Sequence, residues 1–148
     1  VPLKIAEPSL RLTLLDSLGK RMRWLAEVLP ALGIDAELVT ARAEEAAAAR
    51  REQFDVAVSR AVARLNILAE LCLPYVRVGG YFLAMKGAMA QEEADEAADA
   101  VRRLGGRIER IAEYPIADAV HRVVVVQKVS ATPKTWPRPF AKIKKSPL

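Results

Sequence analysis

Cysteine and histidine are nearly missing from this chain: Cys72 and His121 are the only examples in 148 residues. One cysteine excludes an internal disulfide and a cysteine-based zinc site, and no metal site is expected. With no disulfide to form, the natural setting is a reducing cytoplasm. Long apolar runs are also absent; none approaches the ~20 residues that a membrane span needs. No basic segment followed by an apolar stretch suggests a secretion signal. Acidic residues vanish after Gln127, while Lys128, Lys134, Arg138, Lys142, Lys144 and Lys145 follow. These six exceed the net charge of +5, so the remainder is close to neutral. Such local basicity points to a polyanionic partner. No side-chain nucleophile with a matching base stands out, and no internal repeat is visible.

What is present is the composition of one globular domain, 52% hydrophobic and 28% charged. Four short apolar runs each stop on a polar residue: Leu12–Leu15 into Asp16, Ala36–Val39 into Thr40 and Glu44, Val56–Val58 into Ser59 and Arg60, and Phe82–Met85 into Lys86. Helical sequence separates them, so they read as strands of one parallel sheet. The carboxyl ends of such strands form a rim where ligands bind. Asp16, Glu44, Arg60 and Lys86 are expected on it.

Between the runs, helices are expected over Leu18–Leu32 with Gly33 as its cap, over Glu44–Glu52, over Leu65–Val76 with Pro74 in the last turn, and over Ala90–Leu104. Gly79-Gly80 reads as the turn into Tyr81–Met85. Arg107–Tyr114 and Arg122–Val129 read as an antiparallel edge pair. The expected organisation is a doubly wound α/β domain over 1–129 and a basic, extended, proline-rich tail over 130–148. A nucleotide-type site places its glycine turn about 20 residues before the strand-end acid. That point is expected upstream of Val1.

The ordered set Pro2-Leu3-Lys4-Ile5, Leu14-Leu15-Asp16-Ser17-Leu18 with Lys20-Arg21, Arg42-Ala43-Glu44, Ser59-Arg60-Ala61-Val62-Ala63, Met85-Lys86-Gly87, His121–Val125 and Thr132-Pro133-Lys134…Pro137-Arg138…Lys144-Lys145-Ser146-Pro147 resembles the ribosomal small-subunit RNA methyltransferase G family, also called glucose-inhibited division protein B. The resemblance covers essentially the whole chain. It implies a Rossmann-like class I S-adenosylmethionine-dependent methyltransferase fold, lacking here the family's first strand and glycine loop. It also implies a bacterial enzyme that methylates N7 of a guanine in 16S rRNA. Carried over residue by residue, it assigns the donor S-adenosylmethionine to Asp16, Ser17, Leu18, Ala43, Glu44 and Arg60. The 16S rRNA or small ribosomal subunit is the expected partner, the expected state is a monomer, and no membrane is involved.

Each residue also has a plainer reading. Asp16 can accept two hydrogen bonds from a ribose diol, or it can offset a helix macrodipole; the resemblance favours the ribose. Ser17 suits an N-cap. Ala43 and Glu44 fit an adenine edge or simply open the alanine helix. Arg60, among small apolar neighbours, reads as buried and therefore paired, either with the donor carboxylate or with Asp16 or Glu44. Lys86 faces RNA phosphate or merely ends a strand. Cys72 and His121 read as structural, Trp24 as helix packing and Trp136 as a tail anchor. The tail residues Lys134, Arg138, Lys142, Lys144 and Lys145, interleaved with Trp136 and Phe140, suit RNA, or form a strap packed on the domain.

Methylation at N7 needs little acid–base chemistry, because the lone pair lies in the ring plane and no proton leaves. Orientation of nucleophile and methyl then supplies most of the effect, and no catalytic residue is assigned. Three alternatives stand beside this reading: a non-catalytic RNA-binding remnant, an S-adenosylmethionine enzyme with a protein or small-molecule substrate, and a nicotinamide dehydrogenase with Asp16 on the ribose.

Overall fold

The computed structural model describes residues 1–60, 63–117 and 119–148. Ala61 and Val62 of the Ser59–Ala63 motif lie outside the described residues. The chain divides into two compact units, Val1–Ala46 and Ala47–Leu148.

In the first unit, α1 (Pro2–Ala6) precedes β1 (Thr13–Asp16), α2 (Gly19–Ala31), β2 (Glu37–Thr40) and α3 (Ala43–Ala46). β1 and β2 are parallel, with Asp16 opposite Thr40. α2 buries Met22 and Leu29, and Gly33 closes it at φ +65°, a conformation that suits glycine. Trp24, expected to pack, is 57% exposed. It lies two positions beyond Met22 and five before Leu29, off the stripe that those two share.

The second unit holds β3 (Phe54–Arg60), α4 (Leu65–Cys72), a 3-10 turn (Leu73–Tyr75), β4 (Val76–Lys86), α5 (Ala90–Arg103), β5 (Gly106–Ile116), β6 (Ala119–Lys128) and α6 (Phe140–Lys145). Its sheet has the order β3-β4-β6-β5. β3 and β4 are parallel, and β6 runs antiparallel to both β4 and β5. The expected single sheet is therefore two sheets, each with a parallel pair, and the second carries the expected antiparallel edge.

Leu65, Leu68 and Ala69 of α4, with Ala90, Ala94, Ala97 and Val101 of α5, meet Phe82, Ala84, Val124 and Val126 in one core. The alanines of α5 recur three and four positions apart, which gives the helix a narrow inward face. Ala100 joins that face, while Ala98 points outward. α4 stops at Cys72, ahead of Pro74, as a proline that lacks an N–H donor dictates.

Three other elements differ from expectation. The alanine helix spans only Ala43–Ala46, because Arg51 and Glu52 bond instead to Trp136, Thr132 and Pro74. Tertiary bonding overrides alanine's propensity there. Gly79-Gly80 lies inside β4, where the register jumps from Phe54–Val76 to Val56–Tyr81; a Cβ on Gly80 would stand 2.4 Å from the Asp55 carbonyl. The tail is not wholly extended, since it contains α6 and buries Ile143 and Thr132. Among the described residues, no helix is long and apolar enough to cross a membrane.

Candidate donor-binding and RNA-binding residues

β1 delivers Asp16 to the carboxyl end of the first sheet. Its Oδ1 accepts the Leu18 N–H at 2.8 Å, and Oδ2 is paired with Arg21. The Leu18 bond, with help from Arg21 and against some desolvation, holds this carboxyl below its ordinary 3.8. The side chain is 23% exposed, while Arg21 is mostly in solvent. Each carboxylate oxygen accepts one of these bonds and retains a further lone pair. Asp16 thus satisfies the Leu18 N–H just ahead of α2 and keeps acceptor capacity at the strand end.

Ser17 and Leu18 follow it, both exposed. Leu18, not Ser17, is the N-cap of α2, and no side chain caps the helix. A leucine side chain has no oxygen to offer the first helical N–H groups. Beyond the end of β2, the Ala41 N–H donates to the Asp16 carbonyl at 3.2 Å, tying the two strand ends together. Ala43 is half-buried. The Glu44 side chain is 8% exposed and accepts a bond from Arg42 Nε at 2.5 Å. Arg42, raised further by this contact, stays charged. Asp16, Ser17, Leu18, Ala43 and Glu44 therefore belong to one strand-end neighbourhood of the first unit.

Arg60 and Lys86 end the paired strands of the second unit, with Arg60 opposite Met85. Arg60 is exposed, not buried as its apolar neighbours suggested, and it enters no ion pair among the described residues. β3 pairs only with β4 in its sheet and leaves alternate positions open. Lys86 behaves in the opposite way. Its side chain is 9% exposed, and Nζ donates to the Ala63 carbonyl and to Glu93 Oε2, both at 2.6 Å. Glu93 in turn accepts the Leu65 N–H at 2.8 Å, which satisfies the start of α4. Breaking so sheltered a pair costs about 3–5 kcal/mol. Lys86 is a structural pin and leaves the set of RNA contacts.

Arg138 is corrected likewise. Its backbone N–H and Nε donate to Glu70 Oε1 at 2.8 and 2.9 Å, and Nη2 reaches Oε2 at 2.6 Å. Glu70 is fully buried in α4, and its carboxylate raises the Arg138 pKa still further. Lys128, counted above with the tail, is also fully buried. Its ammonium donates to the carbonyls of Leu73 and Val76 and to Thr132 Oγ1, with Glu52 at 3.3 Å. Burial lowers its pKa, and Glu52 opposes that. Lys134, Lys142, Lys144 and Lys145 remain exposed.

Several partners escaped the sequence reading: Arg21, Arg42, Glu52, Glu70 and Glu93. Only Glu70 carried a signal, as a lone acid inside the apolar run Leu65–Tyr75. Such a charge must find a partner if it is buried.

Residues 1–118 match the family described as rRNA small subunit methyltransferase G. The Lactobacillus johnsonii ribosomal RNA small subunit methyltransferase G is 45% identical over 153 aligned positions, covering 100% of this chain and 64% of that protein. The Clostridium novyi counterpart is 46% identical and is covered over 63% of its length. This chain thus spans somewhat less than two thirds of these relatives. Among solved structures, a Catenulisporales acidiphilia 16S rRNA (adenine(1408)-N(1))-methyltransferase with cosubstrate SAM gives a TM-score of 0.72 at 15% identity, over 89% of this chain and 80% of that one. A Streptococcus thermophilus rRNA methylase gives 0.56 at 19% identity, over 81% and 74%. The fold is that of the class I S-adenosylmethionine-dependent methyltransferases, and the chain belongs to the rRNA small subunit methyltransferase G family.

Proposed function

We propose that this chain is part of a bacterial, cytoplasmic enzyme that transfers a methyl group from S-adenosylmethionine to N7 of a guanine in 16S rRNA. The observation that carries the reading is Asp16, an ionised and partly open carboxylate at the end of β1 in a chain of this family. Its remaining lone pairs suit a ribose diol without loss of the Leu18 bond. Ser17 and Leu18 flank that contact. Ala43 offers a small surface for the adenine, and Glu44 offers an acceptor beside it if Arg42 turns away. Arg60, exposed and in no ion pair among the described residues, suits the donor's carboxylate. The donor supplies an electrophilic methyl on a sulfonium. The protein's part is to orient and to desolvate, so no acid–base residue is required. RNA contact falls to Lys134, Lys142, Lys144 and Lys145, and the protein is proposed to act as a monomer.

The test is to incubate the chain with methyl-labelled S-adenosylmethionine and either protein-free 16S rRNA or small subunits, then to digest the RNA to nucleosides. Label in 7-methylguanosine is expected. RNA binding without any transfer would favour the non-catalytic reading, and label in another nucleoside would overturn the N7 assignment.

A further inference from the structure

We propose that the C-terminal strap is a clasped platform that holds the lysines of α6 in fixed position against RNA phosphates. This deepens the function proposed above and rests on it.

Ion pairing in the second unit is uneven. Several exposed arginines find partners there, Arg64 with Glu96, Arg77 with Asp55, and Arg102 and Arg103 with Asp99, whereas Arg60 enters no ion pair among the described residues. Lys142, Lys144 and Lys145 of α6 are exposed and enter no ion pair among the described residues. No acidic residue follows Gln127 to quench them. An unneutralised cluster of this kind attracts a polyanion.

A basic tail that served only to attract RNA could stay loose. This one is fastened twice by buried charge. Glu70 takes three donors from Arg138. Lys128 holds Thr132, whose N–H also meets Glu52 and whose hydroxyl donates to the Leu104 carbonyl. Ile143 of α6 is fully buried, and Trp136 and Leu148 pack on the core. Ordering a chain costs about 1–2 kcal/mol per residue in backbone entropy alone. Having met that cost on folding, the strap meets RNA with its charges already placed.

The experiment measures binding to protein-free 16S rRNA over a series of salt concentrations. Neutralising Lys144→Gln and Lys145→Gln together should flatten the salt slope by about 1.4–1.8, two phosphate contacts' worth. An unchanged slope overturns the lysine assignment. Glu70→Gln and Arg138→Gln then separate placement from charge, because they open the same clasp while changing net charge in opposite directions. Both should weaken binding about tenfold. If Glu70→Gln binds more tightly and Arg138→Gln less, charge alone governs and the platform is refuted. If Glu70→Gln does not fold, Thr132→Val opens the other clasp at constant charge and should also weaken binding; unchanged affinity refutes the platform. Wild-type protein that fails to bind the RNA at all overturns the RNA function itself, whereas binding that ignores all these changes overturns only the platform.

Discussion

At the scale of single residues, the environment of each group decides whether it is available for chemistry. Asp16 has a folded pKa below its ordinary 3.8, first because of the Leu18 N–H and then because of Arg21. Ionisation therefore favours the fold above 3.8, and that contribution is lost only as pH falls through the lower, folded value. Donor binding through Asp16 should accordingly be flat from neutral pH down to about 5. Cys72 is the reverse case. Burial pushes its thiol from 9.0 up to about 12, against a smaller opposing effect of the Ser59 hydroxyl. Thiolate is the reactive form, so the rise from 9.0 to about 12 lowers its fraction at pH 8 by roughly two to three orders of magnitude. Alkylation by iodoacetamide should be slow by roughly that factor in the native protein and recover in denaturant. Rapid native labelling would show that the thiol is not enclosed.

At the scale of elements, strands and helices were legible wherever periodicity and punctuation agreed. β1, β2, β3, α4, α5 and the β5–β6 pair all stand within a few residues of the positions expected from their apolar patterns. Where the outcome differed, long-range polar bonds made the difference. Arg51 and Glu52 leave the alanine helix to hold the strap, and Lys86 and Arg138 are drawn inward by Glu93 and Glu70. A lysine or arginine looks the same in sequence whether it faces solvent or a buried carboxylate 7 or 68 positions away. Gly105 is the clearest local requirement. It ends α5 at φ +83°, and an added Cβ would lie 2.2 Å from the Ser130 carbonyl. Its own carbonyl accepts the Val129 and Ser130 N–H groups, so helix end and strap root share one turn. Gly105→Ala should destabilise by more than ~1 kcal/mol, read as a lower denaturant midpoint. An unshifted midpoint would contradict this packing.

At the scale of the whole molecule, the division into two sheets was not visible in the pattern of apolar runs. Each run announces a strand, but nothing within it says which neighbour it pairs with. The two units also differ in how much they bury. The first holds Met22, Leu29 and Ile34, while nearly all of the fully buried side chains, from Leu65 to Ile143, belong to the second. A two-stranded sheet is marginal by itself, so amides of β1 and β2 should exchange hydrogen well before those of β4 and β6. Equal protection in both sheets would refute this ranking.

The site divides in the same way. Asp16 and Glu44 were legible as neighbours because parallel strands place their carboxyl ends together, whereas Arg60 and Lys86, expected on the same rim, end strands of the other sheet. The lysines of α6 were legible as a charged group, and a strap packed on the domain was the plainer reading of the same tail. The central claim is that Asp16 holds the methyl donor, and it is tested most directly by calorimetric titration of the chain with S-adenosylmethionine, wild type beside Asp16→Ala. Loss of hydrogen bonds to a charged acceptor, worth about 1.5–3 kcal/mol, predicts saturable binding by the wild type and an affinity lower by about ten- to a hundredfold in the variant. Equal affinity in the two proteins, or no binding by the wild type, would contradict the account.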